Sequence, residues 1–103
     1  MCANQNFEVF PAPDRNRVAL VFERDCGATT NFSTHVSILD GGITTNEPGN
    51  VLTMDDNQSE VPLKVGVKWG SSTKLEVSYP VGARVFKQEP TLGGVTVSYQ
   101  RVP

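Results

Sequence analysis

Arg17-Val18-Ala19-Leu20-Val21-Phe22-Glu23-Arg24-Asp25 is the stretch that decides the fold. Val18 to Phe22 is the longest apolar run in the chain, and it is strand length, far short of the roughly 20 residues a membrane-spanning helix needs. Arg17 to Asp25 as a whole begins as a continuous apolar run and then alternates, which places it centrally in a sheet. The segment before it, Pro11-Ala12-Pro13-Asp14, stops a preceding strand, because proline fixes φ and removes a backbone donor. Asp14-Arg15-Asn16 then forms a tight polar turn. On the other side, Cys26-Gly27-Ala28-Thr29-Thr30-Asn31 reads as a loop.

The same grammar runs outward in both directions. Phe7 to Phe10 is a first strand. Phe32 to Leu39 alternates, with Phe32, Thr34, Val36 and Ile38 on one face and Ser33, His35 and Ser37 on the other. Val51 to Met54 follows an irregular Gly- and Pro-containing loop over 41–50. Val61 to Trp69 aligns Val61, Leu63, Val65, Val67 and Trp69, with Pro62 placing its start at an edge or leaving it unpaired. Lys74 to Tyr79, Arg84 to Gln88 and Val95 to Tyr99 complete the set, separated by hairpin-length turns. No window repeats apolar residues at helical spacing. The expected fold is all-β: one domain over residues 1–103, a small antiparallel sandwich or open barrel of seven to eight strands with little or no helix.

Composition narrows the function classes. Of 103 residues, 38% are hydrophobic and 19% charged, which is the profile of a chain with a packed core. Nine basic and eleven acidic residues leave a net charge of −2. The basic residues are scattered, so nucleic acid is not an expected partner. No charged segment followed by an apolar stretch opens the chain, so no signal peptide is expected in the residues as numbered.

Cys2 and Cys26 are the only cysteines. The expected arrangement is a disulfide tying the N-terminus to the end of the strongest strand, which implies an oxidising, exported or periplasmic setting. Closing a loop of that length stabilises by roughly 3.5 kcal/mol in the chain-entropy model. The alternative, Cys26 as a nucleophile with His35 as its base, lacks a local signature. One histidine and two distant cysteines offer no zinc spacing, so no metal and no cofactor are expected.

His35 lies mid-strand on the polar phase and is expected to face solvent beside a cross-strand partner. Asp55-Asp56-Asn57-Gln58-Ser59-Glu60 begins like a calcium loop but has Glu60 at its sixth position and Gly66 at its twelfth, and reads as a solvated turn. Asn31-Phe32-Ser33 and Asn57-Gln58-Ser59 are formal glycosylation acceptors. The most distinctive stretch is Arg24-Asp25-Cys26-Gly27-Ala28-Thr29-Thr30. It reads as a corner shaped by threonine hydroxyls, or as a binding loop on a rigid scaffold, with Thr29, Thr30, Asn31 and His35 as its candidate residues.

That stretch, together with Pro11 to Asp14, Arg17 to Phe22, Phe32 to Leu39, Val67-Lys68-Trp69, Leu75 to Tyr79 and Gly82 to Phe86, resembles a group of small bacterial proteins. The group generally looks exported or lipoprotein-like, with a second cysteine near the mature N-terminus that Cys2 would match. The resemblance implies no activity. The Pro-Asp turn is also similar to one blade of a TolB-type propeller, an architecture too large for this chain.

Three function classes follow. The first is a non-enzymatic binding or accessory domain for an unknown protein or small ligand, with homo-oligomerisation through an exposed sheet edge as its companion. The second is a hydrolase-like enzyme whose pocket assembles Asp25, His35 and Glu60. The third is an inhibitor or immunity protein, for which a net charge of −2 gives little electrostatic leverage.

Overall fold

The computed structural model describes residues 2–26, 33–55 and 64–103. Among them are nine strands: β1 (Ala3–Pro11), β2 (Val18–Asp25), β3 (Ser33–Leu39), β4 (Leu52–Asp55), β5 (Gly66–Ser71), β6 (Lys74–Pro80), β7 (Arg84–Gln88), β8 (Thr91–Leu92) and β9 (Val95–Val102). They form two packed sheets, a five-stranded one in the order β1-β2-β3-β4-β7 and a four-stranded one in the order β5-β6-β9-β8. No helix occurs among the described residues. The all-β sandwich expected from the alternating patterns is therefore the observed fold.

Four details differ from the expectation. The first strand begins at Ala3 rather than Phe7, because Ala3, Asn4 and Gln5 pair with Asp25, Arg24 and Glu23 despite their low strand propensity. A two-residue strand, β8, is added by the hairpin that closes on Gly93 and Gly94. Both glycines have positive φ, at 55° and 85°, as a tight two-residue hairpin demands. The sandwich is also not wholly antiparallel. After β6 the chain crosses to the five-stranded sheet for β7, returns through β8, and lays β9 parallel to β6 from Lys74↔Thr96 to Pro80↔Val102. Of the expected Val61 to Trp69 strand, β5 retains the second half, and residues 61–63 lie outside the described residues.

The core lies between the sheets. Ala19, Val21, Val36, Ile38, Leu52 and Met54 face Leu75, Val77, Tyr79, Val95 and Val97, and all are buried. Each such aliphatic side chain contributes about 1.5–3 kcal/mol by burial, set against the entropy of ordering the chain. The four-stranded sheet alternates cleanly, with Lys74, Glu76, Thr96 and Ser98 on its open face.

Polar side chains close both flanks of the sandwich. On one side the Trp69 indole of β5 donates to the Phe10 carbonyl of β1 at 2.8 Å. On the other, the Tyr99 hydroxyl of β9 donates to the Glu89 carbonyl at 2.6 Å, with the Val51 carbonyl 3.2 Å away. The Glu89 amide in turn donates to Val51 at 2.8 Å. Burial, with Glu89 and Tyr79 nearby, pushes the Tyr99 phenol well above its ordinary pKa, so it stays a donor. The β1 edge is interrupted by a register shift between Gln5 and Glu8, where Asn6 adopts φ 57°, and such a bulge opposes addition of a further strand.

Replacing Tyr99 by Phe leaves the ring packing intact and removes the donor to Glu89. Urea denaturation of Tyr99→Phe is expected to show a loss of about 1–2 kcal/mol. An unchanged midpoint would mean that the hydroxyl does not hold the two sheets together.

Candidate functional site: a cleft on the outer face of the five-stranded sheet

The outer face of the five-stranded sheet is where the chemistry-bearing residues gather. Strand alternation puts Leu20, Phe22 and Arg24 of β2 on this face, in register with Ser37, His35 and Ser33 of β3. Thr53 and Asp55 of β4 continue the rows, facing Lys87 and Arg84 of β7. Leu20 and Phe22 are fully buried although they point away from the core between the sheets. The segment 41–50 accounts for this, because it crosses the outer face as a strap. Asn4 donates from Nδ2 to the Thr45 and Glu47 carbonyls at 2.7 and 2.9 Å. Arg24 Nη1 donates to the Asn46 carbonyl and to Asn4 Oδ1. At the far end, the Asn50 side chain pairs with both backbone groups of Ile38, and its amide donates to Ser37 Oγ.

His35 sits under the strap rather than in solvent. It is 5% exposed, stacked on Phe22 with ring centroids 5.4 Å apart. The expectation of a solvent-facing histidine is corrected for a physical reason: the polar phase of β3 lies opposite the second apolar phase of β2, and the strap buries both. The Gly49 amide points at His35 Nδ1 at 2.8 Å. A backbone N–H can only donate, so Nδ1 carries the lone pair and Nε2 carries the proton. Nε2–H therefore donates to Ser33 Oγ at 2.7 Å, and Ser33 donates onward to the Arg24 carbonyl at 3.3 Å. Burial first, and the Arg24 cation second, lower the His35 pKa to about 4.

This directed chain decides what the pair can do. Ser33 beside His35 has the composition of a nucleophile and its base, but the base nitrogen is occupied by Gly49 and the serine proton is committed to a carbonyl. The pair as built is a structural relay. Asp25 occupies the opposite face of β2 from Arg24 by strand alternation, so it is not brought to His35. Glu60, the third member of the expected catalytic set, lies outside the described residues, as do Thr29, Thr30 and Asn31 of the expected binding loop. Cys2 and Cys26 form the expected disulfide. Asp55, expected to open a solvated turn, instead ends β4 nearly buried and paired with Arg84, whose Nε and Nη2 each donate to one of its oxygens at 2.9 Å, while residues 56–60 of that expected turn lie outside the described residues. Among the described residues no group of three or more His, Cys, Asp and Glu side chains is placed to hold a metal.

Between these elements lies a cleft of about 340 Å³ lined by Arg24, Cys26, Ser33, His35, Thr53, Asp55 and Phe86. Phe86 is 60% exposed, with the Arg84 guanidinium 5.0 Å from its ring centroid. Nothing in the sequence signalled that Thr53, Asp55, Arg84 and Phe86 would share a site, because the β4–β7 pairing joins strands distant along the chain.

Family models, curated proteins and solved structures were all compared with the chain, and none matches it. The resemblance centred on Arg24 to Thr30 therefore gains no support from them.

Two outcomes follow from the strap geometry. His35 is neutral in the folded protein down to about pH 4, whereas in the unfolded chain it takes up a proton near 6.5. The unfolded state binds more protons between those values, so stability is fully present above about pH 6.5, falls as pH is lowered, and the loss levels off below 4. The expected amplitude is about 2 kcal/mol, less than the full shift would give because the neighbouring cleft admits water. His35→Asn keeps an acceptor for Gly49 and removes the titration. Denaturation midpoints of the two proteins from pH 7.5 to 4 should converge as the pH falls; parallel curves would show that His35 does not couple to folding. Separately, a Cβ on Gly49 would lie 2.7 Å from the Leu52 carbonyl, 2.9 Å from the Val36 carbonyl and 2.9 Å from His35 Cβ. Gly49→Ala is expected to cost about 1–3 kcal/mol in thermal or chemical unfolding, as overpacking at a rigid site does; a variant as stable as the parent would show that the strap moves freely.

Proposed function

We propose that this protein is a non-enzymatic binding or accessory domain and that the cleft on the outer face of the five-stranded sheet is its binding surface. The observation that carries the reading is the direction of the relay from His35 through Ser33 to the Arg24 carbonyl. It turns the best available catalytic pair into a fixed floor, next to an aromatic ring left 60% exposed. A concave, mostly apolar site with a few fixed polar groups suits binding rather than turnover. The disulfide supports an exported setting, where it would persist.

Amide-resolved NMR of the isotope-labelled protein against a library of small organic acids, amines, amides and tripeptides tests this. Shift changes are expected to cluster at residues 24–26, 33–35, 53–55 and 84–87. Changes clustering elsewhere, or none at millimolar concentration, overturn the reading. The hydrolase alternative is tested in parallel on ester and peptide substrates: turnover lost in Ser33→Ala would replace the binding reading with the enzymatic one.

A further inference from the structure

Resting on the cleft as a binding surface, we infer that its ligand is a small free molecule with one aromatic ring and a carboxylate on a short arm. Size sets the first limit. At about 340 Å³ the cleft lies at the low end of small-molecule sites, which run from about 300 to 1,000 Å³. That is room for one ring and a short substituent.

The ring follows from Phe86. Its side chain lines the cleft and is 60% exposed, with the Arg84 guanidinium against it. Arg84 lies over the ring and is itself fixed by two hydrogen bonds to Asp55. A ring so held offers an edge or a face to a second aromatic group at little cost in side-chain entropy. Thr53 also lines the cleft.

The carboxylate follows from charge. Among the described residues, Arg24 lines the cleft and Lys87 stands in register with Thr53 of its lining, while the one carboxylate that lines it, Asp55, forms an ion pair with Arg84, so those two charges offset each other. Arg84 donates to both Asp55 oxygens, so the Asp55 charge is compensated within the protein and Arg24 and Lys87 are left as the uncompensated charges. Arg24 is held by Nη1 to Asn4 and to the Asn46 carbonyl, which fixes its guanidinium at the cleft wall. His35 adds no charge above about pH 4. The rim thus favours an anion, the floor favours a ring, and a ligand with both satisfies the site.

Titration of the labelled protein at low salt with 3-phenylpropanoate, its neutral amide, its amine counterpart and N-acetylphenylalanine separates the parts. The acid is expected to bind with shifts at residues 33–35, 53–55 and 84–87, the amide about fivefold more weakly, and the amine not measurably. Lys87→Gln should weaken the acid about threefold and leave the amide unchanged, whereas Phe86→Ala should weaken both. Equal binding of acid and amide overturns the carboxylate inference while leaving the cleft a binding site. Tighter binding of the amine overturns the charge argument outright. N-acetylphenylalanine binding much more tightly than the simple acid would transfer the site from a free molecule to a chain terminus and overturn the inferred source. No binding by any of the four overturns the ligand class, and the library screen then shows whether the cleft reading survives it. Both substituted side chains are exposed and outside the core, so folding is expected to be unaffected, which thermal unfolding checks.

Discussion

A backbone N–H that can only donate, at Gly49, faces a ring nitrogen of His35, and much of the outer sheet face depends on that constraint. The nitrogen has to stay bare, so the imidazole is neutral and its proton sits on the other nitrogen. The proton then fixes the rotor of Ser33, and Ser33 satisfies the Arg24 carbonyl. The strap that supplies Gly49 also shields Leu20 and Phe22, which would otherwise expose two large apolar side chains on the side away from the core. Without the strap the continuous apolar run in β2 would have one face too many. With it, Leu20, Phe22 and His35 are buried on the outer face as well, and the polar pair of His35 and half-buried Ser33 is tolerated because each of its atoms has a partner.

The sandwich itself is closed by unlike devices on its two flanks. The Trp69 indole bridges the edge strands β1 and β5, and the Tyr99 hydroxyl bridges β9 to the segment leading out of β7. Both donors come from the four-stranded sheet and both acceptors are carbonyls in or next to the five-stranded one. The parallel pairing of β6 and β9 belongs to the same arrangement. The chain has to leave the four-stranded sheet for β7 before it can return, and the Gly93–Gly94 hairpin reverses it to run alongside β6. The cleft therefore lies on a face that takes no part in holding the sheets together, and its rim residues can vary without opening the core.

Period-two alternation made the four-stranded sheet legible almost residue for residue: Val67 and Trp69, Leu75, Val77 and Tyr79, Val95, Val97 and Tyr99 all face inward. The disulfide was legible from the even cysteine count. The parallel pair was not, because strand order depends on which partner a strand finds, and alternation is silent about partners. His35 was misplaced for a related reason. Alternation assigns a face but not what covers it, and the strap over that face is a Gly- and Pro-rich segment with no periodicity of its own. The cleft was the least legible feature. Arg24 stands in the stretch singled out as most distinctive, but Asp55 and Arg84 are brought together only by the β4–β7 pairing.

Arg24 joins the disulfide, the strap and the cleft into one mechanical unit. Cys2 and Cys26 hold the ends of β1 and β2 together, and two residues inward from each cysteine are Asn4 and Arg24, which face each other in register. Asn4 clamps the strap, Arg24 clamps both Asn4 and the strap, and Arg24 also forms a wall of the cleft. An exposed arginine ordinarily loses much side-chain entropy when it meets a ligand. Here part of that loss is already incurred on folding, because Nη1 is bound internally before any ligand arrives. A site organised this way gains affinity from rigidity rather than from contact area. A small cleft has little area to offer, so rigidity at Arg24 is the property its binding would depend on most.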